Sequence, residues 1–235
     1  IPVRSALKAV GFTNVTVVPE QEQPDKDFPT VKSPNPEEHE AFTLAIELAK
    51  KQSADIIIGT DPDCDRVGAV VRNTLGEYVV LTGNQTGALL IDYILGSLKK
   101  QGRLNDRSTV INTIVTGKLG EKIAESYNVK TISVLTGFKY IAEKIKEFES
   151  SGLEFVFGYE ESYGYLAGTF VRDKDAVIAS MLICEMAAYY KKKGMTLYEG
   201  LMSLFRKYGF YKESLTSVTF RGKEGMEEMV RLINA

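Results

Sequence analysis

Three aspartates at alternating positions, Asp61, Asp63 and Asp65, directly follow a short apolar run at residues 55–59. The run reads Asp-Ile-Ile-Ile-Gly, and its β-branched residues predict a buried strand that ends at the glycine. Alternate residues of an extended segment point to the same side, so the three carboxylates are predicted to converge at the strand end. Converging anions repel one another unless a cation lies among them. The sequence therefore favours a site for a hard divalent cation, which prefers oxygen ligands.

The acidic loop has other interpretations. Zinc is disfavoured because no cluster of histidines or cysteines accompanies the aspartates. An EF-hand loop is rejected because Arg66 and Arg72 occupy the positions where that loop needs glycine and glutamate. A solvated acidic turn stays open as an alternative. Arg66 favours the metal site, since a fixed cation next to a metal indicates a second anion nearby, most naturally a phosphate.

Composition limits the classes of function. The chain has 235 residues with 44% hydrophobic and 26% charged residues, as in ordinary globular proteins. Its formal net charge of −2 gives no reason to expect a nucleic-acid or membrane-surface partner, and no apolar run reaches membrane-spanning length. The two cysteines, Cys64 and Cys184, do not make a disulfide framework, so we expect a reducing, cytoplasmic location. The single histidine, His39, leaves little basis for histidine catalysis.

The order of apolar and polar segments predicts two α/β units. In the first, a strand is expected at residues 15–18 and a helix capped by Asn35, followed by the strand at 55–59 and a hairpin. A helix from about 83 to 100, which Thr82 can cap, completes this unit. The polar stretch 101–106 then breaks the periodicity. The second unit alternates strands and helices, with strands at 110–115, 130–134 and 155–157 and helices at 117–127 and 138–149. Two long helices follow at 175–192 and 196–207, then a strand at 216–221 and a helix at 223–235. The predicted fold is two three-layer α/β/α domains with mixed sheets.

Further polar groups lie where α/β folds place their ligand loops. Glu160 and Ser162 follow the strand at 155–157, and their alternation would put both on one side of an extended loop. A carboxylate and a hydroxyl can bind neighbouring sugar hydroxyls, although spacing alone favours an ordinary polar turn. Thr136 and Gly137 stand between a strand and a helix, where backbone N–H groups can approach an oxyanion. Lys174 by itself indicates only a solvated charge.

Several of these motifs together resemble one family, the α-D-phosphohexomutases. Residues 59–66, Gly-Thr-Asp-Pro-Asp-Cys-Asp-Arg, resemble the magnesium loop of this superfamily of phosphoglucomutases and phosphomannomutases. Glu160 and Ser162 match its G-E-x-S sugar-binding loop, and the run 159–164 is most similar to the phosphoglucomutase and phosphopentomutase branches. Residues 136–138 resemble its T-G-[FWH] substrate loop, and residues 172–175 its R-x-K-D stretch.

The resemblance implies roles for these residues. Asp61, Asp63 and Asp65 would bind Mg²⁺ against a phosphoserine, and Arg66 would steady the transferring phosphate as the catalytic residue. The phosphorylated sugar would be bound by the substrate-binding residues, which are Thr136, Gly137, Glu160, Ser162 and Lys174.

The resemblance also implies a domain organisation. Residues 1–102 would be an N-terminally truncated metal-binding domain, 103–213 a sugar-binding domain and 214–235 the lead-in to a C-terminal domain. The family's phosphoserine segment and its C-terminal phosphate loop do not occur in this sequence. We therefore expect a central fragment whose partners include missing N- and C-terminal domains, and which has no mutase activity alone.

The implied activity of the parent protein is that of a phosphoglucomutase, which interconverts glucose 1-phosphate and glucose 6-phosphate through a bisphosphate. A phosphopentomutase or phosphomannomutase of the same superfamily is an alternative. A non-catalytic, metal-stabilised binding domain is an alternative of a different class.

Overall fold

The apolar segments form two β-sheets surrounded by helices in a computed structural model, which describes residues 1–214, Phe220 and 222–234. The helices of this part of the chain are Pro2–Ala9 (α1), Thr43–Gln52 (α2), Gly83–Lys100 (α3), Leu119–Ser126 (α4), Phe138–Ser151 (α5), Ala176–Lys192 (α6), Leu197–Tyr208 (α7) and Gly222–Ile233 (α8). The strands are Ile56–Thr60 (β1), Val67–Arg72 (β2), Tyr78–Val80 (β3), Ser108–Thr113 (β4), Lys130–Val134 (β5), Glu154–Tyr159 (β6) and Tyr165–Ala167 (β7). The predicted α/β class is confirmed.

The first sheet has the order β1-β2-β3, with both pairs antiparallel. Its central strand, β2, is almost completely buried, as expected for a β-branched strand with a neighbour on each side. The predicted hairpin between β2 and β3 is confirmed, and Asn73 closes its turn by accepting backbone hydrogen bonds from Leu75 and Glu77 at 2.9 Å each. The loop with the three aspartates connects β1 to β2.

The second sheet is mixed and has the order β5-β4-β6-β7. β4 lies parallel to both β5 and β6, whereas β7 pairs antiparallel with β6. All six residues of β4 are buried, in agreement with its position inside the sheet. Parallel strands end at the same edge, so the segments after β4, β5 and β6 emerge together.

Helices α3, α6 and α7 join the two sheets through a shared apolar core. The core includes Val71 from β2, Leu90 from α3, Phe157 from β6, Ile183 from α6 and Leu201 from α7. Burial of these side chains is the main stabilisation that holds the sheets in place. A domain boundary at residues 102 and 103 stays a prediction.

The structure confirms one predicted helix start and corrects another. Thr82 caps α3, because its hydroxyl accepts from the N–H of Gln85 and its own N–H donates to the Gln85 side chain. Asn35, in contrast, does not cap an α-helix. Its Oδ1 accepts from the N–H of Glu37 at 3.0 Å in a local turn, and α2 begins only at Thr43. Asparagine side chains bond nearby backbone groups as readily in turns as in caps, which explains the wrong prediction.

Of two other predicted strands, one is not found and the other lies mostly outside the described residues. Residues 15–18 form no regular strand, and Val15 is exposed. Most of the strand predicted at 216–221 lies outside the described residues. The structure also contains β7, which the sequence did not reveal because it has only three residues.

Candidate functional site

The three aspartates of the β1–β2 loop converge as predicted. Each of Asp61, Asp63 and Asp65 offers a carboxylate oxygen, and these oxygens all lie within 4.8 Å of one another. Asp61 is buried and Asp63 is exposed, so the cluster opens to solvent on one side. An all-oxygen, anionic donor set at this spacing fits a divalent cation such as Mg²⁺ or Ca²⁺.

Asp61 is also the structural centre of the loop. Its Oδ1 accepts from the backbone N–H groups of Asp65 at 3.1 Å and Arg66 at 3.0 Å, and its Oδ2 accepts from Arg66 Nε at 2.8 Å. Burial alone would raise the pKa of Asp61, but these hydrogen bonds outweigh burial and lower the pKa below its ordinary value of 3.8. Asp61 is therefore ionised at neutral pH and available as a ligand.

The turn inside the loop needs an unusual backbone conformation. Cys64 has φ of +61°, and its N–H donates to the Asp61 carbonyl at 3.1 Å. This left-handed region is costly for most residues with a side chain, so a small residue suits the position. Cys64 contributes a bend to the site, and the three carboxylates remain the candidate ligands.

Arg66 is held among carboxylates beside the cluster. In addition to its bond with Asp61, its guanidinium donates to Glu37 Oε1 at 2.9 Å and lies 3.7 Å from Asp65 Oδ1. The pKa of Arg66 is raised, because its bonds to Asp61 and the nearby carboxylates outweigh the opposing effect of burial. Glu37 was missed by the sequence analysis, since it lies 29 residues away and no local pattern links it to Arg66.

The loops after β5 and β6 also meet. The backbone N–H of Gly137 donates to Glu160 Oε1 at 2.9 Å. Gly137 has φ of +118°, a conformation that favours glycine, and α5 begins at the next residue. Thr136 is exposed and Ser162 is half-buried. The structure thus brings the predicted residues Gly137 and Glu160 together, with Thr136 and Ser162 in the same two loops.

The loop after β6 is joined to the aspartate loop by the backbone. Arg66 and Gly164 form an isolated antiparallel β-bridge, and the N–H of Val67 donates to the Tyr163 carbonyl at 3.1 Å. A third bond ties the aspartate loop to α6, since Ala176 N–H donates to the Cys64 carbonyl at 3.1 Å. The candidate metal loop and the loop of Glu160 and Ser162 are therefore held as neighbours.

Lys174 lies with the aspartate loop. Its Nζ is 2.8 Å from Asp65 Oδ2 and 3.0 Å from Asp173 Oδ1, and it stands 5.4 Å from the centre of the Phe138 ring. Burial alone would lower the pKa of Lys174, but its bonds to the two aspartates outweigh burial and raise the pKa. The structure therefore places an ammonium group between the two loops.

Further residues that the sequence analysis missed support the loop after β6. Glu161 Oε2 accepts from the hydroxyls of Thr113 at 3.1 Å and Thr116 at 3.2 Å. A Cβ atom on Gly83 would lie 2.0 Å from the Glu161 carbonyl oxygen, so glycine is required where α3 approaches this loop. The glycines at 83 and 87, four residues apart on one helix face, were the available signal for such a close approach.

Glu160 is predicted to reduce stability at neutral pH. Burial raises its pKa above the ordinary value of 4.5, and the Gly137 N–H and Lys174 offset only part of that effect. A raised pKa means that the stability contributed by protonated Glu160 is lost as pH rises through the folded-state value. Glu160→Gln should therefore raise the free energy of unfolding at pH 7 by about 1 kcal/mol or less. Urea unfolding at pH 4 and pH 7 measures this effect.

Glu143→Gln, on the exposed side of α5, is the matched control and should leave the free energy of unfolding at pH 7 unchanged. A Glu160→Gln protein that is less stable than the wild type at pH 7 would show that the ionised carboxylate stabilises the loop.

The fold and the site define an α/β protein in which an acidic loop that could hold a metal ion lies next to a second polar loop. Comparison with protein families identifies it more closely. Residues 2–76 match the family model "Phosphoglucomutase/phosphomannomutase, alpha/beta/alpha domain II", and residues 82–208 match domain III of the same family. The chain belongs to the phosphoglucomutase/phosphomannomutase family, which confirms the resemblance to the α-D-phosphohexomutases.

Curated relatives agree with this assignment. A phosphoglucomutase of Staphylococcus haemolyticus (strain JCSC1435) is 42% identical over 232 residues, which are 99% of this chain and 41% of the relative. A phosphoglucomutase of Staphylococcus aureus (strain N315) is 40% identical over 227 residues, which are 97% of this chain and 40% of the relative. The chain thus spans about two fifths of the length of these relatives.

Solved structures support the fold. A putative phosphomannomutase from Thermus thermophilus superposes with a TM-score of 0.67 at 20% identity, covering 88% of this chain and 43% of that one. The Paramecium phosphoglucomutase parafusin, in an open form, gives a TM-score of 0.52 at 20% identity and covers 72% and 29%, respectively. In the part of the chain that the structure describes, no helix has the length and apolar character to cross a membrane.

Proposed function

We propose that the protein containing this chain is a phosphoglucomutase that interconverts glucose 1-phosphate and glucose 6-phosphate through a bisphosphorylated sugar. The observation that carries the proposal is the junction of the two loops, in which the Arg66–Gly164 bridge sets the three aspartates beside Glu160 and Ser162. A metal site and a hydroxyl-binding site side by side are what transfer of a phosphoryl group on a sugar requires. The 42% identity to a relative named phosphoglucomutase supports glucose as the sugar.

The aspartate loop is the proposed magnesium site. Asp61, Asp63 and Asp65 would hold Mg²⁺ with their carboxylate oxygens, and the bound ion would offset negative charge on the transferring phosphoryl group. Arg66 would donate to the oxygens of the same phosphoryl group. Its bonds to Asp61 and Glu37 fix the guanidinium in one orientation, which reduces the entropy lost when it binds a phosphate.

The second loop is the proposed sugar site. Glu160 would accept hydrogen bonds from sugar hydroxyls, and Ser162 can both donate and accept. Such paired groups suit a substrate that must bind in two orientations, because vicinal hydroxyls present similar patterns from either end. Thr136 and Gly137 would contact the substrate from the adjoining loop. Lys174 is the proposed phosphate contact.

The proposed domain organisation divides the chain into a metal-binding part at 1–102, a sugar-binding part at 103–213 and a lead-in at 214–235. Domains outside this chain would supply the phosphoserine and the main phosphate-binding loop. A cytoplasmic location would follow from the phosphorylated substrate. The order of a metal-binding part followed by a sugar-binding part is supported by the match of residues 2–76 to domain II and of residues 82–208 to domain III of the family.

An assay of the whole protein tests the activity. We expect turnover of glucose 1-phosphate in the presence of Mg²⁺ and glucose 1,6-bisphosphate, measured as glucose 6-phosphate formed, and slower turnover of mannose 1-phosphate and ribose 1-phosphate. Ser162→Ala should reduce kcat/KM by about 10- to 100-fold, since it removes one or two substrate hydrogen bonds. Ser126→Ala, on α4, is the matched control.

The outcomes separate the alternatives. Faster turnover of mannose or ribose phosphate would assign the protein to another branch of the family. No turnover of any of the three would favour a non-catalytic binding domain. Turnover by the 235-residue chain alone would contradict the expectation that further domains are needed.

A further inference from the structure

The ammonium group of Lys174 pairs with a carboxylate that a bound metal ion would also need as a ligand. Its ammonium group lies 2.8 Å from Asp65 Oδ2, and Asp65 is one of the three converging carboxylates. The other oxygen of this carboxylate, Asp65 Oδ1, lies farther from a positive charge, at 3.7 Å from Arg66 Nε. In the described structure, Lys174 is thus the closest cationic partner of Asp65.

The surroundings hold Lys174 in this position. Its side chain is only 16% exposed, its ammonium group stands over the Phe138 ring, and its stem crosses Gly164. A Cβ atom on Gly164 would lie 2.3 Å from Lys174 Cδ, so the stem can pass only because this residue is glycine. A half-buried lysine with a defined path is more restricted than a solvated surface charge, so its ion pair loses less side-chain entropy.

We propose that Lys174 is an internal counter-ion of the metal loop, which neutralises Asp65 before a divalent cation binds and is displaced by that cation. The proposal rests on the assignment of the aspartate loop as a metal site. A divalent ion held by the three carboxylates would place two positive charges close to an ammonium group that shares Asp65, and like charges at that separation repel strongly. Lys174 has a second partner in Asp173, at 3.0 Å, with which it can remain paired after displacement.

The position of Lys174 gives the displacement a consequence for the sugar site. The same ammonium group stands over Phe138, the first residue of α5, next to Gly137, which donates to Glu160. Once released from Asp65, the charge faces the loops proposed to bind the phosphorylated sugar. Metal binding would thereby release the ammonium group from Asp65, so that it could approach an anionic substrate while still paired with Asp173. Lys174 would then link the two sites.

The test is Mn²⁺ binding to this chain, measured by the EPR signal of the free ion. Lys174→Met removes the ammonium group and keeps most of the apolar stem, so its Kd for Mn²⁺ should be about five- to tenfold lower than that of the wild type. Lys139→Met is the matched control, because it removes a charge from the first turn of α5, where the ammonium group lies over the Tyr140 ring. Its Kd should equal that of the wild type.

A second variant separates position from charge. Gly164→Ala keeps every charge but pushes the stem of Lys174 off its path, so it should also tighten Mn²⁺ binding, by a smaller factor. It carries the test if Lys174→Met does not fold. Equal affinity in wild type, Lys174→Met and Gly164→Ala would overturn the proposal while leaving the metal site intact. Equal tightening in the Lys139→Met control would also overturn it, by showing a general effect of charge. No Mn²⁺ binding in any variant would overturn the metal site itself, and the proposal with it.

Discussion

Asp61→Ala is expected to lower the free energy of unfolding by about 3 kcal/mol and to abolish binding of divalent cations. The buried carboxylate of Asp61 accepts three hydrogen bonds, two from loop N–H groups and one from the Arg66 guanidinium. Its removal leaves those donors without their partner, and a half-buried positive charge loses its main counter-ion. Urea unfolding gives the stability, and a Mn²⁺ titration gives the loss of binding.

Asp63→Ala is the matched control for Asp61→Ala. Asp63 is exposed, so its removal should cost little stability and yet impair the metal site. The pH dependence provides a further check. Because the pKa of Asp61 is lowered on folding, its stabilisation is present at neutral pH and is lost as pH falls through the folded-state value. The stability difference between wild type and Asp61→Ala should therefore shrink below about pH 4. A constant difference, or equal losses in both variants, would contradict the structural role of Asp61.

Gly87→Ala should also be severely destabilising, by about 3 kcal/mol. A Cβ atom at this position would lie 2.3 Å from Tyr159 Cδ2 and 2.4 Å from Cε2. The ring cannot retreat, because Tyr159 is only 1% exposed and its hydroxyl lies against Gly120 on the other side, where an added Cβ would be 2.3 Å away. Tyr159 directly precedes Glu160, so the substitution should also shift the proposed sugar loop. Thermal or urea unfolding measures the stability.

Gly96→Ala, in the same helix, is the matched control for Gly87→Ala. Its added Cβ would meet only the Tyr127 side chain, with the hydroxyl nearest at 3.1 Å, so a shift of the hydroxyl by a few tenths of an ångström relieves the contact. Alanine is the better helix former by about 1 kcal/mol, so Gly96→Ala should leave stability unchanged or raise it. Similar losses at positions 87 and 96 would show that helix packing in general, rather than the Tyr159 ring, limits the size of the residue.

The sequence predicted those parts of the fold that depend on neighbouring residues. The strand β1, the hairpin after β2 and the Thr82 cap of α3 all follow from local patterns and are confirmed. The predicted burial of β1 was wrong, because β1 is a half-buried edge strand that ends at Thr60. The prediction that Asn35 caps a helix was wrong, because an asparagine side chain accepts the same backbone hydrogen bond in a turn as at a helix start. β7 was missed because three residues are too few to show a period, and the strand exists through its pairing with β6.

In the candidate site, too, the sequence predicted local features and missed contacts between distant segments. The convergence of the three aspartates was predicted from the alternation of an extended segment, whereas the structure brings the carboxylates together in a turn in which Cys64 has φ of +61°. Other contacts of the site join segments far apart in the chain. They are the pairs of Arg66 with Glu37 and of Lys174 with Asp65, and the bridge from Arg66 to Gly164. No local spacing carries such pairs, because they depend on how two sheets and α6 pack together.

The most direct test of the metal assignment is an EPR titration of the chain with Mn²⁺, repeated on Asp63→Asn and on Asp106→Asn. Asp63 is exposed, so its conversion to asparagine removes a candidate ligand without disturbing the fold, and Asp106 is an exposed acid outside the cluster. The structure predicts one specific site in the wild type and in Asp106→Asn, and loss of that site in Asp63→Asn. Equal binding by all three proteins would contradict the assignment of the aspartate loop as the metal site.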